Sequence, residues 1–167
     1  MYKDKFQAVG AKVPVICMPK PGIDLHTWAV VACDQFTSEP EYWEETYRIV
    51  GEAPSTLHLI FPELYLEDAD ADERIERIHE TMQSYLDSGV LTEQEEAIHL
   101  VERTPSGGNP RWGMLLCLDL EQYDYSPDST TLIRATEGTI VERIPPRLKV
   151  RQNAPVEFPH ILVLIDD

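Results

Sequence analysis

Five basic side chains, Arg134, Arg143, Arg147, Lys149 and Arg151, stand against only Glu137 and Glu142 in residues 134–151, within a chain whose formal net charge is −16. Glu137-Gly138-Thr139 lies inside this basic island. A glycine there can take a positive φ, letting neighbouring backbone N–H groups converge on an anion. Thr136 and Thr139 would add hydroxyl donors, and Arg143 or Arg147 a guanidinium, which together suit a phosphate or carboxylate. Glu137 would then serve as a general base or hold a metal bridging the phosphates. The competing reading is structural: a strand-turn-strand element whose arginines pair with an acidic helix. Neither a Walker loop nor a dinucleotide-binding glycine fingerprint occurs anywhere in the chain.

Two further groups could carry chemistry. Asp34 and Gln35 follow an apolar run and precede a helix pattern, a place where polar side chains often face a cleft. Asp34 there could be a base, a metal ligand or simply a turn former. Cys33 beside it is a weaker nucleophile candidate, because no histidine pairs with it by pattern. Asp166-Asp167 follow an apolar run and could hold Mg²⁺. The histidines at 26, 58, 79, 99 and 160 are too far apart to form a helical metal pair. Three single cysteines with no CxxC spacing argue against a disulfide framework or a zinc knuckle.

Charge narrows the partners. Residues 63–102 hold thirteen acids against Arg74 and Arg77. Such a surface repels nucleic-acid phosphates, whose affinity rests on Lys and Arg replacing counterions. No apolar run reaches the roughly 18–20 residues that span a bilayer, and the N-terminus lacks a signal-peptide core. The expectation is a cytoplasmic protein that binds neither nucleic acid nor membrane.

The elements that must position these groups follow from periodicity and punctuation. Residues 13–18 and 28–33 predict short strands, separated by the turn residues Pro19-Lys-Pro-Gly22. Ser38 and Glu41 fit a capping box for a helix through Tyr42, Trp43, Tyr47 and Val50, stopped at Gly51. Residues 57–61 predict another strand. Ile75, Ile78, Met82, Tyr85 and Leu86 recur at helical spacing across residues 72–88, with Gly89 as the stop. Residues 97–103 and 112–118 predict a hairpin around the Pro- and Gly-rich loop 104–110. Residues 130–134 begin one more strand, and residues 160–165 read as a strand buried on both faces. Together they predict a single α+β domain over residues 1–167: a mixed, largely antiparallel sheet carrying two main helices. A buried strand that close to residue 167 predicts that the polypeptide is the N-terminal part of a longer protein.

Trp28-Ala-Val-Val-Ala-Cys-Asp-Gln-Phe-Thr, Pro54-Ser-Thr-Leu-His-Leu-Ile-Phe-Pro-Glu63, Ser88-Gly-Val-Leu91 and Arg134-Ala-Thr-Glu-Gly-Thr139, in this order, resemble domain-of-unknown-function family 1015 of bacteria and archaea. Members are longer than this chain, in keeping with the expected truncation. The resemblance implies a His-Glu-x-Thr motif followed by an arginine ten residues beyond the glutamate. Glu137, Thr139 and Arg147 match it, and Thr136 stands where relatives carry histidine, which removes an imidazole from any acid-base role there. The expected function is binding of a phosphorylated small molecule or nucleotide, with Mg²⁺ accompanying the nucleotide. One version is phosphoryl transfer to a small hydroxyl compound, with Glu137 and Asp34 catalytic and Thr136, Gly138, Thr139, Arg143 and Arg147 holding the anion. The alternatives are a non-catalytic binding or assembly domain, forming homo-oligomers through its basic island, and a metal-dependent hydrolase centred on Asp34 and the terminal acids.

Overall fold

The computed structural model describes residues 2–135, 138, 141–158 and 163, with the side chains of Tyr2 and Arg143 left out. The chain opens with helix α1 (Tyr2–Ala8), then the short strands β1 (Ala11–Lys12) and β2 (Cys17–Pro19). Helices α2 (Leu25–Trp28) and α3 (Pro40–Val50) follow, then a 3-10 turn at Thr56–Leu59, helix α4 (Ala71–Asp87) and strand β3 (Leu91–Glu93). Strands β4 (His99–Arg103), β5 (Arg111–Leu115), β6 (Cys117–Leu118), β7 (Tyr123–Asp124) and β8 (Ile133–Arg134) precede helix α5 (Ile144–Arg151). The fold is α+β, as expected, and the strands are gathered in two-stranded ladders.

The chain divides into two compact units. The first comprises residues 1–18 and 93–138, and the second residues 19–92 and 139–167. In the first, β1 pairs antiparallel with β6 and β4 with β5, while β7 and β8 run parallel. The expected hairpin is present in the register His99↔Leu115 to Arg103↔Arg111. Lys3 pairs with Glu96, and the Gln94 N–H donates to the Ile16 carbonyl at 2.9 Å.

The second unit holds most of the core. Trp43, Val50, Leu57 and Ile60 form one buried cluster, with Val30, Val31, Cys33, Tyr42 and Phe158 packed around it. Helix α4 buries Ile75, Ile78 and Met82, the positions its period predicts. Gly51 and Gly89 follow α3 and α4 with φ of +53° and +69°, so each stops a helix in backbone space that a β-carbon disfavours.

Three local expectations are corrected here. Residues 28–33 form no strand: Trp28 ends α2, and its carbonyl accepts from the hydroxyls of Ser55 (3.2 Å) and Thr56 (2.8 Å). The Cys33 carbonyl accepts from the Glu63 N–H at 2.8 Å, so these carbonyls are satisfied without a ladder. The expected strand at residues 57–61 begins instead as the 3-10 turn, because Ser55 caps it by accepting from the Leu57 N–H at 3.1 Å. Helix α3 starts after Glu39 with no side-chain cap bond, so the Ser38–Glu41 capping box does not form. Pro40 sits in its first turn, where a missing N–H costs nothing. The expected strand at 160–165 lies outside the described residues apart from Val163, which is half exposed and in no strand.

Candidate functional site

The basic island is helical over much of its length. Arg143 ends a 3-10 turn at Val141–Arg143, and α5 begins at Ile144 with Pro145 and Pro146 in its first turn. Prolines at that position replace N–H groups that no helical carbonyl would accept, so they start the helix and do not break it. The strand-turn-strand reading is thereby corrected for residues 144–151. Its other half, pairing with the acidic helix, holds in part. Lys149 bonds Asp72 in the first turn of α4 at 2.8 Å, and the Val150 carbonyl lies 2.8 Å from Nε2 of His79 on the same helix. Arg151 pairs with Glu157 at 2.5 Å.

Arg147 is placed differently. Its Nη2 lies 2.5 Å from Oε1 of Glu63, whose side chain is only 9% exposed, while the Arg147 side chain keeps 42%. The Arg147 Nε is buried and has no hydrogen-bond partner among the described residues. Glu63 in turn is tied through its backbone N–H to Cys33, and Asp34 is the next residue. The four groups share one electrostatic neighbourhood. Burial, Glu63 and Asp34, in that order, push the Cys33 thiol above its ordinary range, and Arg147 partly offsets them. Sequence reasoning named Asp34 and Arg147 and missed Glu63. Only its position directly after Phe61-Pro62, in a segment quoted for the family resemblance, hinted at it.

A thiol held in its protonated form is a poor nucleophile. Cys33 is therefore expected to react with iodoacetamide more slowly at neutral pH than the exposed Cys117, and to accelerate only above the usual thiol range near pH ~8.5. Peptide mapping by mass spectrometry measures both rates in one sample, and equal rates at neutral pH would contradict this arrangement. The sign for stability follows. A folded-state pKa above the unfolded one contributes stability that is complete below the unfolded thiol's pKa and is lost as pH rises through the folded one.

Of the other expected anion ligands, Gly138 is exposed, with open space where a side chain would project. Thr136, Glu137 and Thr139, together with Asp166 and Asp167, lie outside the described residues, as does the Arg143 side chain. Asp34 is exposed, and its Oδ1 accepts from the Gln35 side-chain amide at 3.2 Å. Among the described residues no three of His, Cys, Asp or Glu come together as metal ligands. No described helix is long and apolar enough to cross a membrane.

No curated protein and no solved structure matches the chain. A family model does, over residues 17–167. That span contains Cys33, Asp34, Glu63 and Arg147, and it covers nearly the whole sequence. The chain therefore belongs to the family described as Protein of unknown function (DUF1015).

Proposed function

We propose that this protein binds a phosphorylated small molecule, a nucleotide above all, and transfers its phosphoryl group to a small hydroxyl compound. The observation that carries this reading is Arg147: a guanidinium fastened at one nitrogen by Glu63, with a buried Nε–H that has no acceptor among the described residues, acting with Asp34 on the same Cys33 thiol. A buried unpaired donor costs about 1–3 kcal/mol, and an anionic oxygen is the acceptor that best offsets it. Phosphoryl transfer asks chiefly for positioning and charge neutralisation, so one fixed guanidinium and one nearby carboxylate supply its basic needs. Mg²⁺ characteristically arrives on the phosphates and takes only one or two protein carboxylates. Asp34 fits that demand better than it fits a resident metal cage. Glu137 and Thr139 remain the expected base and hydroxyl donor on sequence grounds.

Isothermal titration with ADP or ATP in the presence of Mg²⁺ tests the reading. Saturable heat is expected, with Arg147→Met weakening the binding by roughly ten- to a hundredfold, the worth of one hydrogen bond to a charged group. The absence of heat with either nucleotide overturns it, as does full activity in a Glu137→Ala variant.

A further inference from the structure

We propose that a second copy of this chain docks on strand β5, edge to edge and antiparallel, about a two-fold axis through Gly113. Within the first unit, β4 and β5 pair only with each other, and no other backbone hydrogen bond reaches residues 111–115 among the described residues. A free edge of this kind is a template for another strand, and a lone two-stranded hairpin is marginal in water. The register sets Leu100 opposite Met114 and Glu102 opposite Trp112 on one face. Leu100 is 68% exposed, Trp112 69% and Met114 44%.

The order Arg111-Trp112-Gly113-Met114-Leu115 complements itself when reversed. About Gly113, Trp112 of each copy falls opposite Met114 of the other, giving two aromatic–thioether pairs. Gly113 faces Gly113, with open space where side chains would stand. Arg111 meets Leu115 and not a second arginine. Pairing through β4 about Val101 would instead oppose His99 and Arg103, a less favourable match.

Charge points the same way. Arg103 and Arg111 lie directly opposite each other at the loop end of the hairpin, like charges that disfavour each other, and neither has an ion pair among the described residues. The segments leading into and out of the other end carry Glu93, Glu95, Asp119 and Glu121. Antiparallel docking runs the basic end of each copy along the acidic end of the other. Side-by-side docking in the same sense would gather four arginines. The self-complementary arrangement is the isologous one that closes a dimer and occupies the β5 edge of both copies.

Sedimentation velocity of the full chain over a wide concentration range is expected to show a monomer–dimer equilibrium that weakens with salt. Met114→Lys, an exposed change, is expected to weaken it by roughly tenfold, because two cross-strand pairs are lost together. Opposed residues of an antiparallel pair have Cα atoms about 4.5–5.5 Å apart, within disulfide reach. Gly113→Cys, with Cys117→Ser, is therefore expected to form a disulfide-linked dimer under oxidising conditions, whereas Leu100→Cys in the same background stays monomeric. A monomer at every concentration overturns the proposal. So does the absence of the Gly113→Cys disulfide, or equal cross-linking by Leu100→Cys.

Discussion

Trp43→Ala is expected to lower the unfolding free energy by about 3–5 kcal/mol, a large share of the roughly 5–15 kcal/mol of an ordinary domain. Trp43 has no exposed surface and stands at the centre of the cluster with Val50, Leu57 and Ile60. Its ring meets Tyr42 edge-on at 5.4 Å, and Tyr42 stacks on Phe36 at 4.0 Å, so one deletion undoes packing from α3 to the segment before it. The indole N–H is buried and has no partner among the described residues. Both Trp43→Ala and Trp43→Phe remove that orphan donor, so the cavity left behind is what separates them. Trp43→Phe leaves the smaller cavity, and its cost is expected to be well under half that of alanine. Urea titration followed by circular dichroism gives both values. Equal losses for the two variants would mean that cavity size does not set the cost at this position.

The second large effect concerns the Glu63–Arg147 pair. Arg147→Met is expected to destabilise the protein by about 2–3 kcal/mol, because the carboxylate of Glu63 keeps its burial and loses its guanidinium partner. The partial exposure of Arg147 holds the cost below that of a fully buried pair. Glu63→Gln with Arg147→Met together should cost less than the sum of the two, since no uncompensated charge is left at that contact. The Cys33 thiol reports on the same pair. Losing Glu63's charge removes a group that pushes its pKa up, so Glu63→Gln should speed alkylation at a given pH, and Arg147→Met should slow it. Additive stabilities and an unmoved alkylation rate would show that the two residues act independently.

Much of the architecture can be read from local chemistry. The period of Ile75, Ile78 and Met82 and the stop at Gly89 define α4, because a helix reports its buried face every three to four residues without reference to anything distant. The hairpin is legible for a similar reason: its two strands are joined by a short loop of turn-forming residues. The short apolar runs at 28–33 and 57–61 carry no such internal evidence. Their conformation depends on the Ser55 and Thr56 hydroxyls reaching the Trp28 carbonyl and on the Glu63 N–H reaching Cys33, partners roughly thirty residues away.

The candidate site divides along the same line. From its amino-acid order alone, the chain declared an α+β class, a basic island in an acidic background, and Asp34 and Arg147 as polar groups worth attention. Side-chain chemistry and spacing carry that information wherever the residues come to lie. Nothing local, however, distinguishes Arg147 from Lys149 and Arg151 four residues or fewer away. The helical course of α5 separates them, sending Lys149 to the first turn of α4, Arg151 to Glu157 and Arg147 to a buried carboxylate beside Cys33. The pairings of Arg147 and Lys149, across about eighty residues of chain, are set by packing, and packing is a property of the folded molecule.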